Sequence, residues 1–369
     1  MILIVMGTRP EIVKMASVVD SCRTLGVDHR IVLAAQHYDW EMSGLFMKQL
    51  GLGKPDCRVR VGSGSNAVQT ARAMVGLERI ILRDRPEAVV VQGDTNMVLA
   101  ASLASVKAHV PVFHVEAGVR SYDLRMPEEH NRRIVDHVSS YLFAPTLHTA
   151  RVLRKENVWG KISVVGNTVI DACLKFMGMA RKKSDLLRRI RYDRFALATL
   201  HRAENVDQAS TLRTLVKVLT SLSLPVVFPV HPRTMQRLCS YRLVSKLKAS
   251  PNVQLLPPVG YFDMLTLMGK CTFIVTDSGG IQEEATSPNI RKFVFVLRRR
   301  TDRPESVRSG FAKLMGTQDH KSIARSIDRL SNMPISVPMA SPYGDGRAGA
   351  RIAHVLMSEC ERTKRRDIL

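Results

Sequence analysis

Two carboxylates stand where apolar runs give way to polar residues, a placement suited to proton chemistry. Ala88-Val89-Val90-Val91-Gln92-Gly93-Asp94-Thr95 reads as a buried strand ending at Asp94, because a buried parallel strand is a continuous apolar run. His114-Val115-Glu116-Ala117-Gly118-Val119-Arg120-Ser121 places Glu116 in the same way. In open α/β sheets, ligands sit just beyond the carboxyl ends of the strands, so both acids take ligand-facing positions. Met126-Pro127-Glu128-Glu129-His130-Asn131-Arg132-Arg133-Ile134 follows closely. Glu116, Asp123, Glu128 and Glu129 are thus gathered with an amide and several guanidiniums in a short span. A capping aspartate and a solvated acidic loop would use the same residue types without the chemistry.

Three further constellations suit an anionic ligand. Gly7-Thr8-Arg9-Pro10-Glu11 follows the first apolar run and opens a helix. Glycine permits a tight turn, proline suits the first helical turn, and the free amides there attract an anion. Arg9 and Lys14, a little over one turn apart, add charge. Asp277-Ser278-Gly279-Gly280-Ile281-Gln282-Glu283-Glu284 has the same logic: amides of Ser278 and Gly279 to cradle a diphosphate, and Glu284 to accept two ribose hydroxyls. An empty capped helix would look alike. Thr199-Leu200-His201-Arg202-Ala203-Glu204-Asn205 and Val230-His231-Pro232-Arg233 each end a strand with histidine close to arginine. Histidine titrates near neutrality, so His201 and His231 could contact a diphosphate or move a proton. A lone structural histidine is the plainer reading of either.

These residues need a scaffold of alternating strands and helices. Candidate strands are Ile2–Met6, His29–Ala34, Ala88–Gln92, Val110–His114, Leu142–Ala144 and Ser163–Val165 in the first half. Phe195–Thr199, Val226–Val230, Val253–Leu256, Phe273–Thr276 and Phe293–Leu297 follow in the second. Between them lie helical runs such as Glu11–Leu25, Ala67–Arg83, Met97–Ala108, Gln208–Ser221, Arg233–Ala249, Phe262–Met268 and Gly280–Thr286. Strand–helix alternation implies parallel sheets with right-handed crossovers. The fold class is α/β, with two Rossmann-like doubly wound domains facing a cleft. We place them at 1–170 and 171–345, joined by a polar, basic helix between Gly166 and Arg191. The amphipathic run Ala348–Thr363, within a C-terminal helical segment 346–369, packs back on the first domain. Gly62-Ser63-Gly64-Ser65-Asn66-Ala67 is only a loose relative of the dinucleotide fingerprint. It follows a short charged segment, Arg58–Val61, and Glu87 falls at the start of a strand where a ribose-binding acid belongs at the end. No phosphate loop of the G-x-x-x-x-G-K-[ST] type occurs.

Composition narrows the partners. A chain of 369 residues is long for one core. Its 55 Lys and Arg exceed its 33 Asp and Glu, a formal charge of +22, which favours nucleic acid, anionic membrane surface or phosphorylated metabolites. The excess clusters in Arg181-Lys182-Lys183, Leu187-Arg188-Arg189-Ile190-Arg191, Arg298-Arg299-Arg300 and Arg362-Thr363-Lys364-Arg365-Arg366. Aromatic residues, 5% of the chain, do not interleave with these runs as base-stacking platforms would. We read most of them as solvated surface, with no specific nucleic-acid binding and a weak electrostatic association with an anionic membrane surface. The six cysteines show neither disulfide nor zinc spacing, and no metal or cofactor is expected. Met1–Met6 is a first strand without a charged leader, and no run approaches the ~20 apolar residues of a membrane span; a cytoplasmic location is expected.

In combination, the motifs resemble the non-hydrolysing UDP-N-acetylglucosamine 2-epimerases. The likeness runs through Gly7–Glu11, Gln36-His37, Gln92-Gly93-Asp94-Thr95, His114–Arg120, Pro127–Arg132, Phe143-Ala144-Pro145-Thr146 and Gly166-Asn167-Thr168. It continues through His201–Asn205, His231-Pro232, Asp277–Glu284, Arg303-Pro304-Glu305 and Pro342-Tyr343-Gly344-Asp345-Gly346. The resemblance implies a glycosyltransferase-like (GT-B-like) pair of domains, an interdomain active site, a homodimer and a UDP-sugar substrate. It implies inversion of the carbon bearing the acetamido group, giving UDP-N-acetylmannosamine, by expulsion of UDP, an unsaturated sugar, and re-addition. Carried over residue by residue, it makes Asp94, Glu116, Glu128 and His201 catalytic. Arg9, Lys14 and Arg132 become the first domain's cations, and His231, Ser278, Gly279, Glu284 and Arg303 become substrate or UDP contacts.

Departures mark where this chain differs. Ser17 stands where the family has proline, Thr286–Phe293 is about two residues longer and lacks Gly-Lys-Pro, and Arg299 and Arg300 replace small or acidic residues. The residues after Gln36-His37 are not those of enzymes activated by their own substrate. Three other activities share much of this pattern: a hydrolysing relative that releases N-acetylmannosamine, an epimerase of a modified UDP-acetamido sugar, and a retaining glycosyltransferase.

Overall fold

Leu3 and Val5 face one side of the first strand and Ile2, Ile4 and Met6 the other, and all five are buried. Leu3, Val5, Val89 and Val91 pack with residues of the helices Asn66–Asp84 and Asn96–Lys107. Burial of both faces is the condition under which parallel sheets form.

The computed structural model describes residues 1–35, 39–333 and 336–366. Gln36 and His37 of the shared motif, and the side chains of 39–42 and 362–366, lie outside the described residues. The chain divides into two units, Met1–Ala172 with Tyr343–Leu369, and Cys173–Pro342. In chain order the first carries β1 Ile2–Met6, β2 His29–Ala35, β3 Cys57–Arg60, β4 Ala88–Gln92, β5 Val112–Val115, β6 Tyr141–Ala144 and β7 Lys161–Val164. The second carries β8 Ala196–Thr199, β9 Val226–Pro229, β10 Val253–Leu256, β11 Phe273–Thr276, β12 Val294–Val296 and β13 Ala312–Leu314. The sheet orders are β3-β2-β1-β4-β5-β6-β7 and β10-β9-β8-β11-β12-β13, every pair parallel. Both are doubly wound: strand order reverses once, between β1 and β4 in one unit and between β8 and β11 in the other. A ligand crevice belongs at that reversal.

Several local expectations change. Arg58–Val61 is no mere charged segment, because Cys57–Arg60 forms edge strand β3. Only Val59 of that strand is buried, and charge on the outward side is how an edge avoids pairing with another chain. Short β13 is the opposite kind of omission, three residues at the far edge of the second sheet. The run Arg233–Ala249 is two helices, Pro232–Ser240 and Val244–Ala249, separated where Arg242 takes a φ of 56°, which a continuing α-helix excludes. The helix at the unit boundary, Thr168–Lys183, carries three of its four basic residues in its last turn. Val169, Ile170, Cys173, Phe176 and Met177 bury an apolar face, so it is not polar along its length. The C-terminal helix Ala348–Arg366 packs on the helix Arg9–Thr24. A Cβ at Gly349 would lie 2.6 Å from the backbone of Ser17, so the two helices touch at small residues.

Arg298 also departs from its reading as surface charge. It is buried against Glu204 and Asp302, whereas Arg299 and Arg300 are exposed. The longer segment after the helix Gly279–Glu284 is anchored: Asn289 Nδ2 donates to Cys173 O (2.8 Å), and the Arg291 guanidinium donates to the Val337 and Pro338 carbonyls. Among the described residues no helix is long and apolar enough to cross a membrane.

Candidate active site

The reversal point of the first sheet is built by the turns after β1 and β4. After β1, Thr8 caps the helix Arg9–Thr24, and Glu11 reaches back to complete the cap. Glu11 accepts from Gly7 N (2.5 Å) and Thr8 Oγ1 (3.0 Å). Its burial pushes the carboxyl up to about 7 against those hydrogen bonds. Gly7 is required by closeness: a Cβ there would sit 2.6 Å from Met97 Cγ and 3.0 Å from the Ala34 carbonyl.

After β4, Asp94 is half-buried, and its Oδ2 receives Arg132 Nε at 2.7 Å and Nη2 at 2.6 Å. Asn131 Nδ2 holds the Asp94 carbonyl at 2.9 Å. Arg132 and Asn131 come from the helix Pro127–Val138, whose Pro127 sits in the first turn. The turns after β1 and β4 and the start of that helix line a cavity of about 380 Å³ that includes Gly7, Thr8, Asp94, Thr95, Glu128 and Asn131. Glu128 is exposed on it, whereas the adjacent Glu129 is buried. Burial would raise Glu129, but bonds from Ser121 N and Oγ, Arg133 and Arg132 hold its carboxyl below the usual range.

Glu116 follows β5, with its backbone at φ 69°, a conformation rare for residues with a side chain. Its Oε2 receives Lys14 Nζ at 2.5 Å and Gln92 Nε2 at 2.6 Å. Each strand-end acid therefore meets a cation: Glu116 meets Lys14, and Asp94 meets an arginine it shares with Glu129. Behind them lies a buried brace. His114 Nδ1 meets Asp136 at 2.8 Å and its Nε2 meets the Gly93 carbonyl at 2.8 Å. Asp136 also takes Gly118 N at 3.2 Å and Arg120 Nη1 at 2.7 Å. Burial would raise Asp136, but His114 and Arg120 keep it below its ordinary value. One carboxylate thus ties the turn preceding Asp94 to the turn following Glu116. Gly118 fits this corner because a Cβ would strike the Thr149 carbonyl at 2.5 Å.

In the second unit the turns after β8 and β11 meet at Asp277, which is fully buried. It accepts from His201 N (3.0 Å), Arg202 N (3.1 Å) and Asn205 Nδ2 (3.0 Å). Asn205 Nδ2 also donates to the Leu297 carbonyl at 2.9 Å. Burial lowers the pKa of His201, with Asp277 opposing and Arg202 reinforcing. The His201 and His231 ring centroids are 5.6 Å apart. His231 accepts from Arg233 N at 3.3 Å as the cap of the helix Pro232–Ser240, and burial and Arg233 lower its pKa. Ser278 caps the helix Gly279–Glu284, its Oγ accepting from Ile281 N. A Cβ on Gly279 would come within 3.4 Å of Arg202 and Asp302. Arg303 is buried and ion-paired with Glu283 and Asp302. Glu284 is half-buried at the end of its helix.

The structure thus brings Asp94 and Glu128 to one cavity rim, sets the buried Arg132 against Asp94 and joins Lys14 to Glu116, while Arg9 is exposed in the first turn of its helix. It brings His201, His231, Ser278 and Gly279 to the second reversal point and turns Arg303 inward. Glu11, Gln92, Asp136 and Asp302 complete the sites without having been singled out. Glu11 carried a signal, the Thr-x-x-Glu capping pattern. Asp136 carried none, since its contacts lie 22 and 16 residues away in sequence. Among the described residues no group of three His, Cys, Asp or Glu side chains is arranged as a metal site.

Comparison with known proteins bears on this arrangement. The family model described as UDP-N-acetylglucosamine 2-epimerase matches residues 21–357. A UDP-N-acetylglucosamine 2-epimerase of Methanocaldococcus jannaschii is 38% identical over 362 residues, covering 96% of this chain and 98% of its own. A crystal structure of the UDP-GlcNAc 2-epimerase of that organism, in complex with UDP-GlcNAc and UDP, superimposes with a TM-score of 0.87 at 38% identity over 97% of this chain and 99% of the other. A UDP-2,3-diacetamido-2,3-dideoxy-D-glucuronate 2-epimerase of Pseudomonas aeruginosa is 37% identical over 363 residues, 96% of this chain and 99% of its own. With two doubly wound α/β units and likeness along nearly its whole length, the chain belongs to the UDP-N-acetylglucosamine 2-epimerase family.

Proposed function

We propose that the protein interconverts UDP-N-acetylglucosamine and UDP-N-acetylmannosamine, and that Asp94 and Glu116 carry the proton chemistry. The hydrogen on C2 is weakly acidic, so its removal is coupled to departure of UDP. A carboxylate takes the C2 proton, the C1–O bond to the β-phosphate breaks, and a C1=C2 double bond forms. UDP then adds back to C1 while a proton reaches C2 from the opposite face. The observation that carries this reading is the pair of strand-end acids, each braced by a cation, Asp94 by Arg132 and Glu116 by Lys14. Glu128, exposed on the same cavity, is a third proton carrier. Positioned acids and bases contribute about 10²–10⁴-fold each.

The second unit's role in this reading is to hold the nucleotide. Amides of Ser278 and Gly279 take the diphosphate, Glu284 takes the ribose hydroxyls, and Arg9 and His231 add donors to the phosphates. His201, whose pKa burial lowers, donates to or accepts from the departing oxygen. Arg303 acts by holding Glu283 and Asp302 beneath the cradle. The active unit is a homodimer, which light scattering of the purified protein will test.

Incubation with UDP-N-acetylglucosamine, followed by proton NMR, tests the activity. Epimerised nucleotide sugar supports it. Free N-acetylmannosamine with UDP would make the protein a hydrolase, and no change without an acceptor would make it a transferase. The likeness to the Pseudomonas enzyme supports a second reading, the same inversion on a diacetamido uronate. Competing the two UDP-sugars in one reaction decides between them by kcat/KM.

A further inference from the structure

We infer that the exposed basic strip 181–194 of the second unit is a docking surface for an anionic lipid bilayer. The strip holds seven cations against two carboxylates. Arg181-Lys182-Lys183 ends one helix, Arg188 and Arg189 lie on a 3-10 turn, and Arg191 and Arg194 lead into β8; all seven are exposed. Among the described residues none of the seven is ion-paired. Elsewhere surface arginines do find partners: Arg233 and Arg237 share Asp207, and Arg351 pairs with Asp345.

The backbone of the strip is fixed while its charged heads are left in solvent. Gln254 clamps it from both sides, donating to the Arg189 carbonyl at 2.7 Å and accepting from Arg191 N at 2.9 Å. Leu186 is buried as an anchor, Ser184 Oγ donates to Asp263 at 2.6 Å, and Tyr192 Oη donates to the Pro251 carbonyl at 2.7 Å. A surface of unpaired cations held in place complements a polyanion at little ordering cost.

The occupant is argued from what accompanies the charge. Leu187 stands 38% exposed beside Arg188 and Arg189, an apolar side chain suited to the headgroup boundary. Among the described residues the strip offers little aromatic surface to a base: Phe195 is buried, Phe262 lies under Lys183 Nζ at 5.5 Å, and Tyr192, the one ring within the strip, is half-buried with its Oη held by the Pro251 carbonyl. Single-stranded nucleic acid needs such rings. The inference does not depend on the proposed reaction, because no residue of the strip belongs to the active-site set.

The test is co-sedimentation of the full-length protein with vesicles of phosphatidylcholine alone and of phosphatidylcholine mixed with phosphatidylglycerol. Binding is expected only to the anionic vesicles and to fall with added salt. The triple variant K182Q/R188Q/R189Q should weaken it about a hundred-fold, since each cation near such a surface contributes about fivefold in affinity and the three factors multiply. Its turnover should be unchanged, which also reports that it is folded, and R188K/R189K should bind like wild type. Failure to sediment with anionic vesicles overturns the inference. Wild-type binding by the triple variant overturns the assignment to this strip. Duplex DNA that binds at lower protein concentration than the anionic vesicles reassigns the surface to nucleic acid.

Discussion

The same winding is built twice in this chain, and the two reversal points put a strand-end aspartate to opposite uses. Asp94 after β4 is half-buried on a cavity and is met by the side chain of Arg132. Asp277 after β11 is fully buried and is met by two backbone amides and one side-chain amide of the neighbouring turn. One acid borders the cavity with a buried guanidinium beside it, the placement proposed here for a proton carrier. The other is consumed in fixing the backbone that presents His201 and Ser278. Topology places a carboxylate at the ligand end of a sheet; only its hydrogen-bond partners decide whether it reacts or holds.

The largest effect that could break this contrast is on turnover. Asp94→Asn and Glu116→Gln should each lower kcat by about 10²–10⁴-fold and leave UDP affinity by calorimetry near wild type. Turnover like wild type in both variants would remove these acids from the chemistry. Asp277→Ala should act on the fold instead. It strands buried donors, so thermal unfolding should show a loss of about 3 kcal/mol, and UDP binding should weaken with it. Stability like wild type would mean that Asp277 is not the brace described.

Glu11 sharpens the comparison from within the first unit, since it is an inward-facing acid like Asp277 but raised to about 7 by burial. The folded state holds its proton more tightly than the unfolded chain does. Wild-type stability from this group is therefore full below about pH 4.5, declines as pH rises toward about 7, and levels off above that. Glu11→Gln should lack the decline, gaining on wild type by up to about 3 kcal/mol across that window in urea unfolding. A constant difference between pH 4 and 8 would contradict the raised carboxyl. The smallest effects belong to the surface: Arg299→Ala and Arg300→Ala should each stay within about 0.5 kcal/mol of wild type.

What was readable in the sequence follows from the range of the interactions involved. Strand-end acids and the cap at Thr8–Glu11 were readable because apolar runs and capping spacings are local. The seven- and six-stranded sheets were readable except at one edge of each, where Cys57–Arg60 alternates one buried residue with charges and Ala312–Leu314 is too short for a period to show. Asp136 was not readable, because its role exists only where a helix crosses behind two strands. Arg298 was misread within a run of three arginines, since only tertiary packing turns one of them toward Glu204 and Asp302.

The most direct measurement is the reaction of UDP-N-acetylglucosamine in D2O, with the product read by proton NMR and mass spectrometry. Proton exchange by the acids of the first unit predicts UDP-N-acetylmannosamine carrying one deuterium at C2, with that signal abolished in Asp94→Asn and Glu116→Gln while both still bind UDP. Epimerised product that retains its original hydrogen at C2, or full deuterium incorporation by both variants, would contradict it.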